Sequence, residues 1–272
     1  MARTPLFQGG NTGSTPVGGA ILIKKDQKFL TKNWVAKKLV EALEIKSDDL
    51  VIEIGGGKGR ITQFLKGKII VVEKDPLLAE ILKEKFKEKE NIKIYCGDFL
   101  KFPLPKQKYK IIGNIPYSIA GKIIRKVFNP KRPPEIAVFT FPETLGEKIL
   151  KESPKGNFLS YYIHIFSKPK KILFIDKNLF RPKPKLNSIA IKFEFKELPE
   201  DVEKIVKFLK ICFKSPRKTL KNNLKKFINE EDLEKVLKKC FPEKDIKNLR
   251  AHELKPEDLI YFYREIKNYL KN

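Results

Sequence analysis

The strongest constraint on this fold is the run Leu50-Val51-Ile52-Glu53-Ile54, which breaks into Gly55-Gly56-Gly57-Lys58-Gly59. A short, almost continuously apolar segment describes a strand covered on both faces. Glycines at its end describe a backbone that turns sharply and lets a ligand come close. The pattern recurs. Ile69–Val72 stops at Glu73, Ile92–Tyr95 stops at Gly97-Asp98, Ile111–Ile112 runs into Asn114, and Ile136–Phe141 follows a proline-rich loop. Helical stretches such as LLAEILKEKFKEKE lie between them. Buried strands separated by helices need crossover connections, so the pattern predicts an α/β fold built on a mostly parallel sheet.

Other segments complete the layout. WVAKKLVEAL, from Asn33, has helical spacing and predicts one apolar face carrying Trp34, Leu39, Val40 and Leu43. YYIHIF reads as a strand holding His164. Lys171–Ile175 and Ser188–Phe195 read as two further strands with no helix between them, an antiparallel hairpin at the end of the sheet. After Pro199 every apolar segment has helical period, which predicts a small, Lys-rich, all-α domain. The expected division is a disordered tail over 1–22, rich in Gly, Thr and Pro, an α/β domain over 23–196 and a helical domain over 197–272.

Charge narrows the partners. Fifty-eight basic residues face 33 acidic ones, a formal net charge of +25 over 272 residues. An excess of that size repels itself unless a polyanion neutralises it, which points to nucleic acid. Cys96, Cys212 and Cys240 are scattered, and the only histidines, His164 and His252, stand apart from other ligand-type residues. No disulfide framework, metal site or His-based triad is expected, and a reducing cytoplasm fits. No apolar run reaches the roughly 20 residues of a membrane span, and a monomer without membrane attachment is expected.

The glycine turn does not match the dinucleotide pattern G-x-G-x-x-G or the phosphate-binding G-x-x-x-x-G-K-[ST]. Its E-x-G-x-G-x-G form suits a ligand without a pyrophosphate. About twenty residues on, Glu73 ends the next strand, where a carboxylate can accept both hydroxyls of a ribose. Gly97-Asp98-Phe99 ends the third, with an acceptor and an aromatic face for an adenine ring. In a doubly wound sheet these loops open on one edge. The fourth strand runs into Asn114-Ile115-Pro116-Tyr117. The amine of adenine is a poor nucleophile because its lone pair is delocalised into the ring. The side-chain oxygen of Asn114 and the carbonyl of Ile115 can draw it toward a nucleophilic geometry, Pro116 can stiffen the backbone, and Tyr117 can stack on a base lifted from its helix. In isolation N-x-P-Y is an ordinary turn; its place after the fourth strand makes it informative.

These segments resemble the rRNA adenine N6-dimethyltransferases, the KsgA-type small-subunit enzymes and the related Erm-type resistance methyltransferases. The similarity rests on Asp26-Gln27-Lys28-Phe29-Leu30, Glu53–Gly59, Glu73, Gly97-Asp98, NIPYSI at 114–119, FRPKPKLNS at 180–188 and SPRKTLKNNL at 215–224. It runs from about Gln27 to the C-terminus. The resemblance implies a Rossmann-like class I methyltransferase with a seven-stranded sheet and S-adenosylmethionine as cofactor. It implies cofactor contacts from Gln27, Lys28, Leu30, Gly55, Gly57, Glu73, Asp98, Phe99 and Asn114. It also implies a target-amine site at Asn114–Tyr117, with Phe180 as the second aromatic around the flipped adenine. The implied substrate is ribosomal RNA or a small-subunit precursor. Asp26 and Lys28 stand where the family has Gly and Asn or His, and Phe141-Pro142-Glu143 stands where it usually has Gln-Lys-Glu.

Lys183 and Lys185, then Arg217, Lys218, Lys221, Lys225 and Lys226, form two basic clusters. On one helix, positions 217, 218, 221 and 225 would share a face and track a phosphate backbone. The helical tail favours the KsgA type, and NIPYSI followed by IIRKV has an Erm flavour. The readings to be separated are an Erm-type 23S enzyme, a non-catalytic nucleic-acid-binding relative, and a DNA or protein methyltransferase with a similar loop.

Overall fold

Strands form where β-branched and aromatic residues run together, and helices where apolar residues return every three or four positions. The computed structural model describes residues 27–270 apart from Ser153 and Lys155; Asp26 and the expected tail over 1–22 lie outside the described residues. In chain order the elements are β1 (Phe29–Leu30), α1 (Asn33–Ala42), β2 (Leu50–Ile54), β3 (Lys68–Glu73), α2 (Pro76–Lys85), β4 (Ile92–Cys96), β5 (Lys110–Asn114), α3 (Ala120–Val127), β6 (Ile136–Pro142), α4 (Glu143–Leu150), α5 (Phe158–Phe166), β7 (Ser167–Ile175), β8 (Phe180–Arg181), β9 (Ser188–Phe195), α6 (Val202–Cys212), α7 (Leu220–Leu224), α8 (Glu230–Cys240) and α9 (Pro256–Ile266).

The main sheet has seven strands in the order β4-β3-β2-β5-β6-β9-β7. β2 to β6 pair in parallel, and β9 runs antiparallel to both of its neighbours. The chain winds outward from β2 in one direction and from β5 in the other. The crevice beyond the carboxyl ends of β2 and β5 is therefore the place where such a sheet binds ligands. β7 and β9 do form the expected antiparallel pair. A second, two-stranded sheet joins β1 to β8, with Phe29 opposite Arg181 and Leu30 opposite Phe180.

One apolar cluster runs without a break from Phe139, Phe141 and Phe193 of the sheet to Phe208, Leu237 and Phe262 of α6, α8 and α9. The C-terminal helices thus share their core with the sheet. α8 starts on Asn229, whose side chain accepts from Asp232 N at 2.8 Å, and carries acidic residues in its first turn and lysines in its last. Both charge placements oppose the helix dipole. Among the described residues no helix is long and apolar enough to cross a membrane.

Three local expectations are corrected. In α1 the buried face is Val35, Ala36, Leu39 and Leu43, whereas Trp34 is 48% exposed and Val40 half-buried. Residues 35, 36, 39 and 43 repeat at i, i+1, i+4 and i+8, and the indole lies off that stripe. His164 is helical, in α5. The Tyr- and Ile-rich run has strand propensity, but Asn157 caps it, accepting from Leu159 N and Ser160 N, while Ser160 Oγ accepts from Asn157 N at 2.9 Å. That reciprocal capping box outweighs propensity. Positions 217, 218, 221 and 225 do not share one helix. α7 begins only at Leu220, capped by the Thr219 hydroxyl, so Arg217 and Lys218 lie in the preceding turn.

Candidate methyl-transfer crevice

The loops after β2, β3, β4 and β5 meet, as the topology requires, around a crevice of about 400 Å3 lined by Gln27–Leu30, Glu53–Lys58, Glu73, Asp98, Phe99 and Asn114–Ile119. The glycine turn is shaped by three left-handed residues, Gly55 at φ +71, Gly57 at φ +55 and Gly59 at φ +73. A Cβ on Gly55 would meet nothing within 4 Å, and one on Gly57 would lie 2.9 Å from the Phe29 ring. The first glycine therefore leaves space over the crevice, and the second lets β1 close down on the turn.

Glu73 is nearly buried and organises the turns on either side. Its carboxylate accepts from Gly57 N and from Asp75 N, both at 2.9 Å. Each oxygen keeps a further lone pair for a ligand hydroxyl. Asp98 accepts from Leu100 N and from Lys74 Nζ, both at 2.9 Å. The Lys74 ammonium first, and the Leu100 amide second, hold its carboxyl below the usual range, so it is anionic at neutral pH. Phe99 is buried, with Lys126 Nζ 5.3 Å from its ring centre. The same ammonium donates to the carbonyls of Leu100 and Phe102 and ties the loop down.

Below the glycines lies Glu53, fully enclosed and accepting from the Thr62 hydroxyl at 2.6 Å. Burial is the main cause that pushes its pKa up to about 8, and the Glu73 charge adds to it. Glu53 is thus protonated at neutral pH, which removes the penalty of a second buried charge beside Glu73.

Asn114 ends β5 and is held on both sides of its amide. Nδ2 donates to the Lys28 carbonyl at 2.6 Å, and Oδ1 accepts from the Thr140 hydroxyl. Lys28 therefore serves the site through its backbone. Ile115 is buried, Pro116 is extended at φ -60 and ψ 131, and Tyr117 opens a short 3-10 turn. The Tyr117 hydroxyl lies 2.8 Å from Ser188 Oγ. Burial raises its pKa above 10, so the phenol remains neutral.

Most residues singled out from the sequence line this one crevice: Gln27, Lys28, Leu30, Gly55, Gly57, Glu73, Asp98, Phe99, Asn114, Ile115, Pro116 and Tyr117. Phe180 does not. It is 1% exposed, in the core under the β1–β8 pair, and absent from the lining. Lys183 and Lys185 are exposed on the chain just after β8. Arg217, Lys218 and Lys225 are exposed, but Lys221 is bound by Glu230 at 2.6 Å and Glu234 at 2.5 Å. Sequence reasoning missed Thr140, Ser188 and the pairing of β1 with β8. Only register across strands reveals the hydroxyls, and two-residue strands have no period to detect.

Residues 22–260 match the family described as ribosomal RNA adenine dimethylase. The ribosomal RNA small subunit methyltransferase A of Malacoplasma penetrans is 37% identical over 225 residues, 79% of this chain and 82% of that protein. The protein of the same description from Thermotoga maritima is 31% identical over 244 residues, 88% of this chain and 83% of its own. Among solved structures, a dimethyladenosine transferase from Plasmodium falciparum superposes with a TM-score of 0.76 at 25% identity, covering 88% of this chain and 98% of that one. The 23S rRNA methyltransferase ErmE shares the fold at a TM-score of 0.72 and 21% identity, over 88% and 99% of the two chains. This chain belongs to the ribosomal RNA adenine dimethylase family, a family of S-adenosylmethionine-dependent methyltransferases.

Proposed function

We propose that this protein methylates the N6 amine of adenines in small-subunit ribosomal RNA, acting on adjacent adenines during ribosome assembly as a cytoplasmic monomer. The observation that carries this reading is the convergence of Asn114–Tyr117 with Gly55, Gly57, Glu73, Asp98 and Phe99 on one crevice. The donor set fits S-adenosylmethionine. Glu73 keeps lone pairs for ribose hydroxyls, Asp98 and Phe99 offer an acceptor and an apolar wall for an adenine, and the space over Gly55 needs no pyrophosphate to fill it.

Bound S-adenosylmethionine supplies a methyl group on a sulfonium, electrophilic enough that no strong general base is needed at the amine. Asn114 Oδ1 and the Ile115 carbonyl accept the hydrogens of the target amine and concentrate its lone pair. Tyr117 offers its ring as a stacking face for the extruded base. No side chain of the loop takes the displaced proton, since Tyr117 stays neutral and Asn114 has no basic site; it leaves to water. Residues 197–272 form the RNA-binding part. Arg217, Lys218, Lys225, Lys183 and Lys185 meet phosphates, contacts that set affinity without reading sequence.

The test is transfer of a labelled methyl group to undermethylated small subunits, to large-subunit RNA and to duplex DNA in parallel, with digestion to nucleosides. Dimethyladenosine from small-subunit RNA supports the reading. Label on large-subunit RNA alone replaces it with an Erm-type activity, and label on none of the three removes the enzyme.

A further inference from the structure

Asn114 and Tyr117 project from a loop, and loops do not by themselves hold side chains to the few tenths of an ångström that chemistry on an amine demands. Two hydroxyls behind the crevice supply that precision. Thr140, on β6, stands directly opposite Asn114 in the β5–β6 register and is 1% exposed. Ser188, at the start of β9, stands opposite Pro142 and is 0% exposed. Side chains two residues apart on a strand point the same way. Thr140, Pro142 and the cross-strand partner Ser188 therefore share a face at the carboxyl end of β6. Neither Thr140 nor Ser188 is part of the crevice lining.

The chemistry of the three groups around Asn114 decides its orientation. The Lys28 carbonyl can only accept, so the amide nitrogen must face it, and the oxygen is turned toward the Thr140 hydroxyl. A carboxamide oxygen has two lone pairs. Thr140 occupies one, and the other remains for a hydrogen of the target amine. Without the hydroxyl, the amide is held only at its nitrogen and can pivot about the Lys28 contact. On the far side of the loop, the 2.8 Å contact between the Tyr117 and Ser188 hydroxyls anchors the outer end of the ring. It thereby fixes where the ring, the stacking face for a base, comes to lie.

We propose that Thr140 and Ser188 are positioning residues for the methyl transfer, Thr140 fixing the amide oxygen of Asn114 and Ser188 fixing the ring of Tyr117. The proposal rests on the adenine-methylating reading above and adds to it how the aim of the amide is held. It assigns neither residue a contact with substrate or cofactor.

Single-turnover methyl transfer to small subunits tests it, with binding of S-adenosylhomocysteine measured beside it by calorimetry. T140V keeps the shape of the side chain and removes the donor. The expected result is about a tenfold slower transfer with cofactor-product affinity within about twofold, and T140S restoring the rate to within about threefold. S188A is expected to slow transfer about threefold, and to have no further effect in a Y117F background, where the anchored hydroxyl is already gone. T140V within twofold of wild type overturns the role of Thr140. So does T140S as slow as T140V, or a parallel loss of S-adenosylhomocysteine binding, since either marks a purely structural role. If T140V does not fold, T140C, a weak donor in the same place, must be slower than T140S, and equal rates overturn the proposal. A wild-type protein that transfers no methyl group to any RNA sinks the functional reading itself, an outcome these variants do not share.

Discussion

The crevice and the basic turn before α7 both carry residues chosen for their chemistry, but they are held in different ways. In the crevice the polar side chains at the strand ends are gripped from behind. Asn114 is bound by a backbone carbonyl and a buried hydroxyl, Glu73 by two backbone amides, and Asp98 by an amide and an ammonium. In the turn the backbone is held instead. Asn223, nearly buried, accepts from Ser215 N and donates to the Ser215 carbonyl, both at 3.1 Å, while Arg217 and Lys218 extend into solvent. The difference follows from the targets. A single amine needs one oxygen at one position, whereas a phosphate backbone presents many equivalent sites to a mobile cation. Substitutions in the crevice should therefore change rate, and those at the turn should change affinity and its salt dependence.

The largest break in that pattern would come from Asn114→Ala. Removing an acceptor made ready for the reacting amine should slow single-turnover transfer by about a hundredfold or more, on the order of 3 kcal/mol of barrier, with S-adenosylhomocysteine binding reduced far less. Transfer at the wild-type rate would take Asn114 out of the chemistry.

A second break, read in stability and not in rate, is a pH effect below the crevice. The buried Glu53 has a pKa near 8 against 4.5 for an ordinary carboxyl, so the folded protein keeps a proton that the unfolded chain gives up. The stability this contributes is complete below about pH 4.5 and is lost as pH rises toward 8, by at most about 1.4 kcal/mol per pH unit. Glu53→Gln still accepts from Thr62 and does not titrate. Thermal unfolding of the ligand-free protein between pH 5 and 8 should fall more steeply for wild type than for the variant. Equal slopes would place an ionised carboxylate at this position.

The contrast also explains what could be read in advance. The crevice was legible because topology gathers the ends of parallel strands, so Gly55, Glu73, Asp98 and Asn114 needed only to be placed at strand ends to be placed together. Thr140 was hidden, since nothing in VFTFPE marks a hydroxyl as opposite Asn114 until the strands are in register. The resemblance places Phe180 at the crevice, whereas it is buried in a β1–β8 pair too short to leave a pattern in the sequence. The basic stripe failed for a further reason. Helical spacing over 217–225 runs back through Thr219, which caps α7 and starts the helix only at Leu220, and nothing in the sequence pairs the acidic start of α8 with Lys221.

At the turn itself, replacing Arg217 and Lys218 together with Ala should weaken RNA binding at physiological salt by about tenfold. It should also lower the slope of log affinity against log salt by about 1.5, the loss expected for two phosphate contacts. The rate of transfer at saturating substrate should remain close to wild type. An unchanged slope would show that the turn faces away from RNA.

The smallest effect belongs to Lys221, and it separates charge from exposure. Its ammonium is already met by Glu230 and Glu234, which raise its pKa while it lowers that of Glu234. A cation so paired has little field left for a phosphate, and its removal frees two acidic groups beside the basic turn. Lys221→Ala should leave the salt slope within about 0.3 of wild type, less than half of one phosphate contact, and shift unfolding only slightly, as surface pairs do. A fall in slope near 1 would mean that the RNA displaces both glutamates. The basic patch would then include α7 as well as the turn before it.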